Sequence, residues 1–259
     1  MNELLRQFSE QQVAGFMLVI ARIAPLFIVA PMFSSKMIPG RVKGIAAVGL
    51  AVGIAPLATA GERLPLDVMS LAEIAAKELM VGLAFAFAIA VLFAAVNAAG
   101  GLLDTLIGFS FGALVDPITG NNSSIVGQLY ALTGVAIFIA VNGDAWVIQG
   151  LFRTYELVPL VDQPSVESMV AGVQEAFSGI FVAALELSAP VVLAVILTDA
   201  AFGVVSRVVP QLNVFAVGFS AKVTVGLLVL GVSLPFAAGW LSDELQRSVA
   251  AALDSLKVG

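Results

Sequence analysis

Six apolar runs dominate the chain, at residues 13–33, 44–60, 79–103, 125–143, 176–197 and 223–241, with polar residues gathered in short clusters between them. About 20 apolar residues suffice for a helical span. The pattern therefore predicts an all-α fold of integral-membrane-type helical hairpins. Prolines mark where those helices kink or break: Pro25 and Pro31 in the first run, Pro56 near the end of the second, Pro190 in the fifth. The run 79–103 holds 25 uncharged residues. Ser70 and Glu73 stand upstream of it at capping-box spacing, so this helix is expected to begin well before its apolar part.

Two connections read as amphipathic helices. Val166, Met169, Val170, Val173, Phe177 and Ile180 recur at helical spacing opposite Glu167, Gln174 and Glu175. Leu241, Leu245, Val249, Leu253 and Leu256 make a second stripe over 241–257, with Ser242 as its expected cap. Either helix suits a membrane surface or a docking face for another subunit. No linker or low-complexity tract interrupts the chain, which reads as one domain over 1–259.

The densest polar interruption lies late. Arg207, Pro210, Gln211, Asn213, Gly218 and Lys222 fall between two hydrophobic runs. A cation at mid-membrane costs about 2.5–3.5 kcal/mol on insertion scales, so such residues are paired, water-facing or functional. Pro210 lacks a backbone N–H and turns Val209 away from the helical region. The backbone groups it frees are tolerable at membrane depth only where protein or water satisfies them. With Asp199 counted, residues 199–222 read as a buried polar joint between hairpins. Glu186 and Asp199 admit two roles: a proton or ion relay, or structural pairing with Arg207 or Lys222, which is the favoured reading. On an uninterrupted helix Asp199 and Arg207 stand about 12 Å apart, too far for direct contact. Arg22, inside the first run, poses the same question of a partner.

Composition agrees with this pattern and narrows the chemistry. Of 259 residues 60% are hydrophobic and 12% charged, against about 25% charged in soluble domains. Without cysteine or histidine the chain has no thiol nucleophile and lacks the usual neutral base and metal ligand. A net charge of −6 and scattered cations argue against a nucleic-acid surface. The cations also fail to orient six spans: Lys36, Arg41, Lys43 and Arg207, with or without Lys222, fall on one side, and Arg6, Arg63, Lys77, Arg153, Arg247 and Lys257 on the other.

The central stretch 104–124 is aromatic and glycine-rich, then turn-forming: Gly108-Phe109-Ser110-Phe111-Gly112, Leu114, then Asp116-Pro117 and Gly120. It formally matches the Gly-x-Ser-x-Gly elbow of hydrolases, but with no histidine to serve Ser110 that reading fails. It is either an extramembrane connection or a re-entrant loop that lines or closes a pore.

Ser206-Arg207-x-x-Pro210-Gln211-Leu212-Asn213-Val214-Phe215-x-x-Gly218-Phe219, followed by Lys222, resembles the signature of the FliR family of type III secretion export-gate subunits. Other landmarks follow in the family's order: Ile38-Pro39-Gly40-Arg41-Val42-Lys43, Glu78 to Gly82, Ala99-Gly100, Gly108-Phe109-Ser110, Asp116-Pro117, Asn142-Gly143 and Pro190. Asp104, Leu106-Ile107, Asp144 and Ser220 depart from its usual residues. Virulence systems have a paralogous subunit, and the wording from Asn213 to Phe219 leans flagellar. The resemblance implies a non-enzymatic subunit without cofactors, in the flagellar basal body at the bacterial inner membrane. It implies assembly with FliP and FliQ, with FlhB and other basal-body proteins nearby, around a pore for unfolded flagellar proteins. It also implies that the stretch from Gly108 to Gly120 plugs the closed pore. The joint (Glu186, Asp199, Arg207, Pro210, Gln211, Asn213, Phe215, Gly218, Lys222) would hold the later helices against neighbouring subunits. The alternative reading is a secondary transporter with a midplane site at the broken helix, using Glu186 and Asp199.

Overall fold

In a computed structural model the chain is described over residues 9–109, 124–211 and 213–256. The described elements are all helical: α1 (Glu10–Val29), α2 (Pro31–Ser34), α3 (Gly40–Ala58), α4 (Val68–Ile107), α5 (Ile125–Ala140), α6 (Gly143–Leu157), α7 (Val166–Val208) and α8 (Val214–Ser255). Five of these are long and apolar enough to cross a membrane, or six spans if α5 and α6 count together.

Local chemistry sets the ends. Ser9 caps α1 in a reciprocal box with Gln12. The helix continues through Pro25 and stops at Val29, and Pro31 then opens the four-residue α2, where its missing N–H costs nothing. Ser124 caps α5 by accepting from the Gly127 N–H at 2.7 Å. Between α5 and α6, Asn142 takes the left-handed conformation (φ 54°) that asparagine tolerates better than most residues.

Helix α4 does begin upstream of its apolar run, but not at the predicted cap. Asp67 takes that place, accepting from the Ser70 N–H at 2.9 Å, so Ser70 lies inside the first turn. The Ser70 amide, and then its hydroxyl, hold the Asp67 carboxyl below its ordinary value of 3.8. A depressed folded-state pKa means the cap's contribution is complete above the unfolded value and fades as pH falls through the lower folded one. Asp67→Ala should therefore lower the thermal midpoint at pH 7, with the gap closing on acidification below that range. Circular dichroism melts across pH would reveal a pH-independent gap if the cap contributes nothing.

The two amphipathic segments are not separate helices. Residues 166–181 are the opening turns of α7, and 241–255 the closing turns of α8. Ser242 is consequently internal rather than a cap. The C-terminal stripe is buried as predicted at Leu241, Leu245, Val249, Leu253 and Leu256. In the earlier stripe only Met169 is deeply buried, while Val166, Val170 and Phe177 stay exposed. Joined to their apolar runs, α4, α7 and α8 reach 40, 43 and 42 residues. That is about 60 Å each at 1.5 Å per residue, against a hydrocarbon core of roughly 30 Å.

The chain forms two compact units: Met1–Val91, Asn142–Phe177 and Leu245–Gly259 in the first, Leu92–Val141 and Ser178–Glu244 in the second. Each of α4, α7 and α8 contributes one part to each unit. In the first, Val81, Val158, Met169 and Leu256 form a core cluster flanked by Ala84 and Leu157. The Gln11 side chain both donates to the Leu64 carbonyl (2.8 Å) and accepts from its amide (3.0 Å), fastening the start of α1 to the segment before α4. In the second unit the Phe93 and Phe138 rings meet at a 58° tilt with centroids 5.4 Å apart.

Candidate functional site

Arg22 answers the question of its partner inside the first unit. It sits in the buried stripe of α1 among Leu18, Val19, Ile23 and Leu26 and is 0% exposed, as is Glu78 on α4. Nε donates to Glu78 Oε2 at 2.5 Å and Nη2 to Oε1 at 2.8 Å, the bidentate fork that only arginine offers. Nη1 donates to the Thr154 carbonyl and Nη2 to the Val158 carbonyl, both at 2.8 Å, with Thr154 Oγ1 3.4 Å from Nη1. The guanidinium carbon lies 4.1 Å from the ring centre of Tyr155, whose hydroxyl donates to the Val19 carbonyl at 3.2 Å. Three helices, α1, α4 and α6, thus meet on one charge. Lys77 adds a second contact to Glu78 at 3.2 Å and donates to the carbonyls of Leu160 and Asp162.

The second unit holds most of the described residues singled out in the sequence. Helix α7 runs unbroken past Asp199 and Arg207, and Asp199 pairs with Lys222 of α8 at 2.6 Å. Pairing with Lys222 was one of the two expected outcomes. Glu186 pairs with neither cation, and accepts from Trp240 Nε1 at 3.1 Å. Arg207 is exposed, and among the described residues it has no ion pair. Helix α7 ends at Val208, just before Pro210 and Gln211, which form a turn. Asn213 then caps α8, its Oδ1 accepting from the Ala216 N–H at 3.2 Å. The amide of the joint is thereby explained as a helix start. Gly218 is buried with the Phe202 ring beside it, and the Phe215 side chain lies outside the described residues.

Of the central stretch, Gly108 and Phe109 are described, while Ser110, Phe111, Gly112, Leu114, Asp116, Pro117 and Gly120 lie outside the described residues. Gly108 ends α4 with φ 103°, a conformation open to glycine. It also lines a cleft of about 1000 Å³, counting its open mouth, together with Thr105, Asp199, Phe202, Gly218 and Lys222. The base of the central stretch and the polar joint, read separately along the sequence, share this cleft. Charged groups persist in it without full burial: the Lys222 and Asp199 side chains are 26% and 51% exposed.

No spacing along the sequence joins Arg22 to Glu78, and α6 is too polar to stand out among the apolar runs. The available signal was the recurrence of Val147, Gly150, Leu151, Thr154 and Tyr155 at helical spacing, all buried on one face.

Long apolar helices that carry paired ions, and that run on through Pro25, Pro56 and Pro190 where a break was expected, define an all-α membrane protein. Residues 13–248 match the family of bacterial export proteins, family 1, and the chain belongs to it. It is 32% identical to the flagellar biosynthetic protein FliR of Bacillus subtilis over 228 residues, 85% of this chain and 86% of that protein. It is 28% identical to the FliR of Escherichia coli K12 over 219 residues, 85% and 84% of the two chains. The Yop proteins translocation protein T of Yersinia pestis is 26% identical over 231 residues, 88% of each.

Proposed function

We propose that this chain, acting as one subunit over 1–259, belongs to the export gate of a flagellar type III secretion apparatus in the bacterial inner membrane. It assembles there with FliP and FliQ, near FlhB and other basal-body proteins, and unfolded flagellar proteins pass through the pore. It is not an enzyme and takes no cofactor. One observation carries the assembly reading: α7 and α8 are far longer than a bilayer requires and largely uncovered. In their most apolar stretches only 28% of α7 and 17% of α8 is buried, yet Asp199, Arg207 and Lys222 lie along them. Lipid would solvate those ions poorly, whereas neighbouring subunits can supply acceptors and donors. On this reading the joint residues Glu186, Asp199, Arg207, Pro210, Gln211, Asn213, Phe215, Gly218 and Lys222 serve assembly. The stretch 108–120 plugs the closed pore, with Phe109, Phe111 and Leu114 excluding ions.

Mass measurement of the detergent-extracted native complex tests the assembly, which should contain this chain with smaller membrane proteins. A chain that is stable alone and moves a small solute would instead be the secondary transporter. The plug is tested by deleting residues 108–120, which should leave assembly intact and make the membrane leak ions. Unchanged conductance would count against it.

A further inference from the structure

One side chain ties the end of α4 to the start of α5, across the central connection. Asp104, in the last turn of α4, is only 6% exposed. Its backbone carbonyl accepts from the Gly108 N–H at 3.1 Å, where α4 ends. Its Oδ1 accepts from the Val126 N–H at 3.1 Å, at the start of α5, 22 residues further on. A carboxylate there also faces the positive end of the α5 dipole. Directly beneath, α4 and α5 touch backbone to backbone: a Cβ on Gly100 would lie 2.6 Å from the Gly127 Cα. We infer that Asp104 is a positioning residue for the pore plug, clasping the two feet of the connection so that it is presented from a fixed neck. This rests on the plug reading given above. An acceptor at this position is what the clasp needs, and the negative charge is secondary.

The chemistry separates the variants. Asp104→Asn keeps an oxygen acceptor of the same reach, whereas Asp104→Ala removes it. In the assembled complex, the Val126 amide should exchange with deuterium at least tenfold faster in Asp104→Ala, and the ion leak should rise toward that of the 108–120 deletion. Asp104→Asn should match the parent in both. Should Asp104→Ala fail to assemble, Asp104→Glu, whose extra methylene displaces the acceptor, is read the same way. Unaltered exchange in the alanine variant would show that no clasp exists. Faster exchange without leak, while the deletion leaks, would reduce Asp104 to a helix cap and overturn the positioning role. If the deletion itself stays tight, the plug reading fails, and the proposal fails with it.

Discussion

Glu78→Ala should cost the first unit roughly 3–5 kcal/mol, the usual penalty for stripping a buried charge of its partner. The Arg22 guanidinium would keep the Thr154 and Val158 carbonyls, but the two N–H groups aimed at Glu78 would face a cavity from which water is largely excluded. Arg22→Ala should do comparable damage from the other side, leaving the carboxylate with only Lys77 nearby. The informative variant is the pair. Arg22→Met with Glu78→Leu removes both desolvated charges and fills the space with apolar atoms, and should recover most of the loss. Thermal midpoints of the purified complex would show this. A double variant as poor as either single one would mean the pair specifies how α1, α4 and α6 meet, beyond its electrostatics.

Gly82→Ala is expected to be at least as harmful. Helix α4 crosses α1 at this position so closely that a Cβ would overlap the Arg22 carbonyl oxygen and sit 2.9 Å from its carbon. The obstacle is backbone, which cannot rotate away, so the helices must separate and pull Glu78, one turn earlier, off the guanidinium. Overpacking costs about 1–3 kcal/mol where side chains yield, and here the upper end or beyond is expected. Gly53→Ala is the control. It lies inside α3 with nothing within 4 Å of an added Cβ, so it should gain up to about 1 kcal/mol from helix propensity alone. Equal midpoints for the two alanines would remove the close crossing as an explanation.

These residues also show what could be read from the sequence. The start of α5 at Ile125, the break at Pro210 and the buried C-terminal stripe follow from apolar runs, caps and proline chemistry, all local. The resemblance carried by the joint reached the family directly. What stayed hidden is non-local. Arg22 and Glu78 lie 56 residues apart, and Thr154 is 132 from Arg22, so no spacing rule couples them. The lengths of α7 and α8 were missed for a different reason. An amphipathic turn and an apolar turn have the same backbone, and a helix entering a new environment changes its side chains without ending. Glu186 shows a third cause: its partner is the indole N–H of Trp240, and a search for opposite charges overlooks a neutral donor.

The path of α8 bears on how the molecule is made. Leu245, Val249, Leu253 and Leu256 complete the interior of the first unit, although its opening residues leave the ribosome more than two hundred codons earlier. That unit must wait, partly built, until the last turns of the polypeptide are synthesised. A nascent chain released early leaves Val81, Val158 and Met169 without Leu256, the residue that closes their cluster.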